Sequence, residues 1–180
     1  MRNNLKVYVG GYAMGKTNEL VKQSVELAKS GERVLLVLND TRKSDALRRV
    51  ITSFYNIPIK SMPDSFSKDE IALAFDFIKQ HITIITGEKI DEIESKFGGK
   101  YKLLFDFHQR MSSVDTVLFD DIEWLAYDDE RNITPSNLME CMEVFETILK
   151  DGTKVYTTMQ RDSYKKAKDL LPEGVEIIQI

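Results

Sequence analysis

Short runs of consecutive apolar residues alternate along this chain with longer stretches in which apolar positions recur every three or four residues. A continuous run such as VLLVL at 34–38 is typical of a strand that is covered on both faces of a sheet. The longer stretches have the spacing of amphipathic helices. The pattern predicts strands at 5–9, 34–38, 82–85, 116–119, 154–158 and 175–178. It predicts helices at 16–29, 67–78 and 134–149, one more helix after 34–38, and a mostly helical stretch at 88–111 that is interrupted at Gly98 and Gly99.

Capping signals locate the ends of several of these helices. Thr41 or Ser44 is the candidate N-cap of the second helix. Ser67 and Glu70 have the spacing of a capping box, in which each side chain hydrogen-bonds the backbone of the other residue. Pro135 is favoured at the first position of the last predicted helix, because a helix start needs no N–H donor there.

Strands that alternate with helices require crossover connections, which favour a mainly parallel sheet with helices on both faces. We therefore expect an α/β fold in which the 180 residues form a single domain, 1–180. In such sheets ligands bind at the carboxyl ends of the strands. The residues that follow the strands are therefore the first candidates for function.

The composition excludes several classes of protein. The chain has 25 Lys and Arg against 29 Asp and Glu, and its net charge of −4 argues against coating of nucleic acid by charge alone. No apolar run approaches the ~18 residues of a membrane-spanning helix, and the N-terminus has no apolar signal core. The single cysteine, Cys141, excludes an internal disulfide and is predicted to lie in the core. We expect a cytoplasmic protein.

The strongest chemical signal is a glycine-rich loop between the first predicted strand and the first predicted helix. The sequence GGYAMGKT fits the G-x-x-x-x-G-K-[ST] pattern of a phosphate-binding loop, whose glycines let consecutive N–H groups point at phosphate oxygens. Lys16 is predicted to contact the terminal phosphates of a nucleotide, and Thr17 to bind Mg²⁺. The predicted nucleotide-binding residues are Gly10, Gly11, Tyr12, Ala13, Met14, Gly15, Lys16 and Thr17.

Acidic and amide side chains follow three of the other predicted strands. Asp120 is placed to hold the Mg²⁺ shell through water. Asp40, Asp121 and Glu123 are candidates for orienting an attacking water. Gln160 is a candidate for sensing the terminal phosphate. For each of the last four residues taken singly, a solvated turn side chain is an equally good interpretation.

In their order, these features resemble a RecA-type ATPase core, and most closely the motor domain of bacterial and phage replicative helicases of the DnaB type. The resemblance covers roughly residues 5–161 and rests on the segments GGYAMGKT, GERVLLVLNDTRKSDALRRV, VDTVLFDDIEWLAYDD and KVYTTMQR. It implies ATP in the glycine loop, Mg²⁺ near Thr17 and Asp120, and Gln160 at the terminal phosphate. It also implies a homo-oligomeric ring or filament, a role in DNA replication or recombination, and single-stranded DNA or a replication protein as partner.

One departure from that family leaves two functions open. The family carries a glutamate at the end of the second strand, where this chain has Asn39 and Asp40, and Asp40 is the nearer match by its spacing from Arg49. A displaced carboxylate can weaken catalysis strongly. The main hypothesis is an Mg²⁺-dependent ATPase in which Asp40 or Asp121 orients the water. The alternative is a nucleotide-dependent interaction module, an accessory or loader-like protein with little turnover.

A second, weaker resemblance suggests a kinase. The opening of the chain, from the glycine loop to DTR at 40–42, is similar to thymidine kinases of the zinc-containing type. The zinc-binding segment of that family needs several cysteines, whereas this chain has one. A nucleoside or nucleotide kinase is therefore the minor alternative.

Two further features have competing interpretations. Arg42, Lys43, Arg48 and Arg49 are suited to contact phosphate or the acidic patch of a partner, although a solvated helix face is the ordinary outcome for such a run. Trp124 is suited to stack on a base, but a packed aromatic side chain is the commoner case.

Overall fold

The computed structural model describes residues 4–61, 66–87, 114–123, 134–150, 152–171 and 173–180 of the chain. The predicted helix at 88–111 and Trp124 lie outside these ranges. No helix in the described part is both long and apolar enough to cross a lipid bilayer. The elements are β1 (Leu5–Gly10), α1 (Lys16–Lys29), β2 (Val34–Leu38), α2 (Lys43–Phe54), α3 (Lys68–His81), β3 (Ile82–Thr86), β4 (Thr116–Asp120), α4 (Pro135–Lys150), β5 (Lys154–Gln160), α5 (Arg161–Ala167) and β6 (Glu176–Gln179), with 3₁₀ turns at Ile59–Ser61 and Lys168–Leu170.

The strands form one sheet in the order β3-β2-β4-β5-β1-β6, and every pairing in it is parallel. Gly10 at the end of β1 lies opposite Gln160 of β5, and Leu38 at the end of β2 lies opposite Asp120 of β4. The carboxyl ends of these four strands therefore meet at one edge of the sheet. The expected α/β fold with a mainly parallel sheet is confirmed.

Two apolar layers cover the faces of the sheet. On one face, α4 buries Leu138, Cys141, Met142 and Phe145 against the strands, which confirms the core position predicted for the cysteine. On the other face, α1, α2 and α3 pack over β2 and its neighbours. All residues of β2 are buried, as expected for a strand covered on both sides. Each large side chain buried in this way contributes roughly 1.5–3 kcal/mol to folding.

The predicted helix starts differ in outcome. The capping box is confirmed, because the Glu70 N–H donates to Ser67 Oγ at 3.3 Å and Glu70 Oε2 accepts from the Ser67 N–H at 2.7 Å. The predicted cap of α2 is wrong. Arg42 occupies the N-cap position of α2, and its side chain makes no capping hydrogen bond. Thr41 therefore lies one residue before the N-cap, and Ser44 lies inside the first turn.

The chain after β5 also departs from the sequence pattern. β5 continues to Gln160, and α5 begins at the next residue, in a stretch for which the apolar spacing predicts no helix. Tyr164 and Ala167 are the residues of α5 that pack against the core. Two positions are too few for a helical period to be recognised.

Candidate functional site

The glycine loop connects the end of β1 to the start of α1. Ala13 and Gly15 both have left-handed backbone conformations, with φ of 58° and 89°. Glycine adopts this conformation freely, whereas it costs a residue with a Cβ roughly 1–2 kcal/mol. α1 begins at Lys16, and the first N–H groups of a helix have no intrahelical acceptor. Such groups at a helix start are suited to bind phosphate.

The first half of this loop is tightly packed, whereas its tip faces solvent. A Cβ at Gly11 would lie 2.9 Å from Sδ of Met14, which accepts a hydrogen bond of 3.2 Å from the Gly11 N–H. A Cβ at Gly10 would lie 3.3 Å from Cγ of Lys16. Tyr12 at the tip is 91% exposed. Close packing, as well as backbone freedom, therefore favours glycine at the first two positions of the loop.

The Lys16 ammonium group links the loop to the end of β5. Its Nζ donates to the carbonyl oxygens of Gly10 at 3.2 Å and Gly11 at 2.8 Å, and to Oε1 of Gln160 at 3.1 Å. The residue is only 8% exposed. An ammonium group has three donors, so each has an acceptor here. A buried positive charge therefore lies between the glycine loop and the end of β5.

Asp120 receives hydrogen bonds from two threonines. Thr17 Oγ1 donates to Asp120 Oδ2 at 2.8 Å, and Thr158 Oγ1 donates to Asp120 Oδ1 at 2.7 Å. Burial raises the pKa of Asp120, and the two hydroxyl hydrogen bonds oppose that effect. The carboxylate is thereby fixed in one orientation at the start of α1.

Thr17 and Asp120 have the ligand chemistry of a magnesium site. Mg²⁺ prefers oxygen ligands and is commonly held by one or two protein groups together with waters and phosphate oxygens. No group of three or more His, Cys, Asp or Glu side chains in the described part of the chain is placed to hold a metal ion. A cation beside Thr17 and Asp120 would therefore take its remaining ligands from phosphate or water.

The amide of Asn39 ties the end of β2 to the end of β4. Its Nδ2 donates to the carbonyl oxygen of Asp120, and to that of Asp121 at 3.3 Å. Its Oδ1 is buried and has no partner among the described residues. Asp40 is exposed in the turn that follows. The side chain that contacts the Asp120 segment is thus an amide, and the next residue carries the carboxylate.

Two further carboxylates, those of Asp121 and Glu123, follow Asp120 in the chain. Asp121 has a left-handed backbone, with φ of 64°, and its N–H donates to Thr158 Oγ1 at 2.7 Å. Glu123 is 1% exposed, and its Oε1 accepts a short hydrogen bond from the Gln160 N–H. Burial, followed by the nearby Glu123 carboxylate, raises the pKa of Asp121 well above its usual range.

The structure brings most of the sequence-predicted site residues together. Lys16 contacts Gln160, and Thr17 contacts Asp120, so the loop meets the ends of both β4 and β5. Asp121 follows Asp120 and shares Thr158 with it. The side chain of Asp40 is exposed in the turn after β2.

Thr158 and Asn39 contribute to this site but were not predicted to do so. Thr158 precedes Gln160 by two residues, and residues two apart in a strand lie on the same face. That spacing is a usable sequence signal once Gln160 is a candidate. The role of Asn39 had no such signal, since its side chain contacts main-chain atoms 81 and 82 positions away.

Comparison with known proteins gives a likeness of fold. No protein-family model and no curated protein matches the sequence. Solved structures do match. A DnaB-like replicative helicase, determined with its interactions with primase, has a TM-score of 0.64 at 16% identity. A second solved ATPase domain has a TM-score of 0.63 at 16% identity, and a KaiC-like protein of Pyrococcus horikoshii OT3 has a TM-score of 0.55 at 15% identity.

The matches cover most of this chain but only part of the larger proteins. The helicase match covers 88% of this chain and 39% of the helicase chain. The match to the second ATPase domain covers 96% of this chain and 63% of that domain's chain. The KaiC-like match covers 87% of this chain and 61% of the KaiC-like chain. The chain therefore spans less than two thirds of the length of each. Its fold is a RecA-like P-loop core that resembles the motor domain of DnaB-type helicases.

Proposed function

We propose that this chain is a Mg²⁺-dependent ATP-binding and ATP-hydrolysing protein of the RecA/DnaB-helicase type, acting in the cytoplasm in DNA replication or recombination. The observation that carries the proposal is the convergence of Lys16, Thr17, Asp120 and Gln160 at one edge of the sheet. An ammonium group, a hydroxyl, a carboxylate and an amide around a helix start are the groups that phosphoryl transfer needs for charge stabilisation and positioning.

In this proposal the main-chain N–H groups of residues 10–17 hold the phosphates of ATP. Lys16 exchanges the carbonyl oxygens of Gly10 and Gly11 for phosphate oxygens and keeps its contact with Gln160. Thr17 and Asp120 hold Mg²⁺, which neutralises charge on the phosphate oxygens when bound. Gln160 thereby lies where it detects the terminal phosphate.

Hydrolysis needs a group that orients the attacking water. We assign this role to Asp121 ahead of Asp40, because Asp121 follows Asp120 directly and its Oδ1, like Oε2 of Glu123, is buried without a partner among the described residues. The raised pKa of Asp121 favours the protonated acid near neutral pH, so the role is to position the water by accepting its hydrogen bond and not to take its proton. Asp40 is exposed beyond the end of β2. Glu123 acts as a positioning residue, since its carboxylate holds the main chain at Gln160.

The proposal includes a ring or filament of identical subunits, with single-stranded DNA or a replication protein as partner. Its support is the likeness of this fold to a DnaB-like helicase and to a second ATPase domain. If sites are completed at subunit junctions, phosphate release per subunit should rise steeply with protein concentration. A rate per subunit that is independent of concentration would exclude shared sites.

Asn39 favours a second function, that of a nucleotide-dependent interaction module with little turnover. The side chain that contacts the Asp120 segment is an amide, and an amide cannot take a proton from water. Phosphate release separates the two functions. Turnover stimulated by single-stranded DNA supports the ATPase, whereas tight ATP binding without phosphate release supports the module.

Nucleotide binding itself is tested by titrating a fluorescent ATP analogue, with Mg²⁺, against wild type, Lys16→Ala and Lys68→Ala. Lys68 is exposed at the start of α3 and serves as the matched control. We expect Lys16→Ala to weaken binding by tenfold or more, since a buried charge is lost from the phosphate contacts. Equal affinity of all three proteins would remove the central assignment.

A further inference from the structure

A cavity of about 340 Å³ lies between α1, α2 and the segment that follows α2. This volume falls in the range of ~300–1,000 Å³ that is usual for small-molecule sites. We call it the α1–α2 cavity. Residues that line it include Asn18, Val21, Lys22, Arg49, Ser53 and Ile57.

The lining of the α1–α2 cavity combines an apolar wall with hydrogen-bond donors. Val21 and Ile57 contribute apolar surface, and Lys22 and Arg49 contribute positive charge. None of the described residues that line it carries a carboxylate. An apolar wall beside several donors suits a flat ring whose edge carries hydrogen-bond acceptors.

Arg49 provides a donor that the described fold does not use. Its Nη1 donates to Oδ1 of Asn18, which fixes the guanidinium group between α2 and α1. Its Nε is buried and has no hydrogen-bond partner among the described residues. A buried donor without an acceptor costs roughly 1–3 kcal/mol, so such a group calls for an acceptor that the fold itself does not supply.

The α1–α2 cavity begins at the start of α1. Asn18 directly follows Thr17, and Asn18, Val21 and Lys22 lie on one side of the helix, because residues three and four apart are neighbours. One helical turn rises about 5.4 Å. Asn18, which lines the cavity, therefore lies within one helical turn of the residues proposed to hold the phosphates.

We propose that the α1–α2 cavity is the subsite for the purine nucleoside of the bound nucleotide, with Arg49 donating to an acceptor on the base. This inference rests on the proposed binding of the phosphates by residues 10–17. Purines present N7 as an acceptor on their exposed edge, which arginine commonly contacts. Arg49 is thus assigned to base recognition and not to a solvated helix face.

The test compares ATP with inorganic tripolyphosphate, which has the phosphates and lacks the nucleoside. Affinities for both are measured, with Mg²⁺, for wild type, Arg49→Ala and Ser53→Tyr, the last of which fills part of the cavity. Arg33→Ala is the matched control, since Arg33 pairs with Asp115 at the opposite end of the sheet. Circular dichroism verifies that each variant is folded.

We expect both cavity variants to lose about tenfold or more in ATP affinity and to bind tripolyphosphate like wild type, while Arg33→Ala changes neither affinity. Unchanged ATP binding by Arg49→Ala and Ser53→Tyr overturns the nucleoside subsite and leaves phosphate binding intact. Equal losses for ATP and tripolyphosphate in folded cavity variants also overturn it. Failure of wild type to bind either compound removes the proposed function itself.

Discussion

The Thr17 hydroxyl donates a 2.8 Å hydrogen bond to Asp120 Oδ2 across 103 positions of sequence. β5 lies between β1, which precedes Thr17 in the chain, and β4, which ends at Asp120. Thr158 of β5 donates to the other oxygen of the same carboxylate. Three separate segments of the chain therefore fix one carboxylate at the start of α1. The proposed magnesium and phosphate site rests on this arrangement, and we expect the loss of the Thr158 hydroxyl to lower the stability of the fold.

Replacement of Thr158 by valine should destabilise the fold. The variant leaves Asp120 Oδ1 and the Asp121 N–H without their partner in a buried position. We expect a loss of about 1–3 kcal/mol in the free energy of unfolding, measured by urea titration. Thr83→Val, at an exposed position of β3, is the matched control and should change stability little. An unchanged urea midpoint for Thr158→Val would show that Asp120 does not depend on this hydroxyl.

Alanine substitutions at Gly15 and Gly152 distinguish an effect on stability from an effect on nucleotide binding. Both have left-handed backbones, with φ of 89° and 84°, and a Cβ at either position would meet no atom within 4 Å in the described structure. Alanine at each should cost a similar stability of roughly 1–2 kcal/mol in thermal unfolding. Only Gly15→Ala should also weaken binding of an ATP analogue. Equal binding by the two variants would contradict the role given to the loop.

The capping box of α3 should make stability depend on pH. Hydrogen bonds from Ser67 lower the pKa of Glu70 below its ordinary value. A lowered pKa in the folded state means that the contribution is present above the unfolded-state pKa and is lost as the pH falls through the folded-state pKa. The gap in urea midpoint between wild type and Glu70→Ala should therefore be largest at neutral pH and shrink in acid.

Glu173→Ala, at an exposed position outside a helix, serves as the control for this measurement. It should give the same small difference from wild type at both pH values. A gap between wild type and Glu70→Ala that persists unchanged in acid would show that the charged carboxylate is not what caps α3.

Cys141 should be unreactive in the folded protein. Its side chain lies on the core-facing side of α4 and is fully buried, and this burial raises the pKa of the thiol. We expect alkylation by iodoacetamide to be slow in native buffer and fast in urea, followed by mass spectrometry. Rapid labelling of the native protein would mean that α4 opens without global unfolding.

The strands and the glycine loop could be predicted because their signals are local. Five consecutive apolar residues in β2 need cover on both faces, and the spacing of Gly10, Gly15, Lys16 and Thr17 is set by neighbouring residues alone. Asp120 was predictable for a related reason. It directly follows the apolar residues 117–119 and is the last residue of the buried strand β4, and in a parallel sheet the carboxyl ends of the strands share one edge.

The rest of the site depends on contacts that are distant in sequence. Asn39 and Asp40 are adjacent, and only the direction of the chain at the end of β2 decides that the amide contacts the Asp120 segment while the carboxylate is exposed. The α1–α2 cavity likewise requires the segment after α2 to pack against α1, which places Ile57 near Asn18. Neither the contact of Asn39 nor the packing around the cavity produces a periodic pattern of apolar residues in the sequence.

Nucleotide binding by the glycine loop is tested by a crystal structure of the chain with Mg²⁺ and a non-hydrolysable ATP analogue. We expect the phosphates on the main-chain N–H groups of residues 10–17, with Lys16 at the terminal phosphates and the cation beside Thr17 and Asp120. Well-ordered nucleotide bound elsewhere, with Lys16 still on the carbonyl oxygens of Gly10 and Gly11, would contradict it.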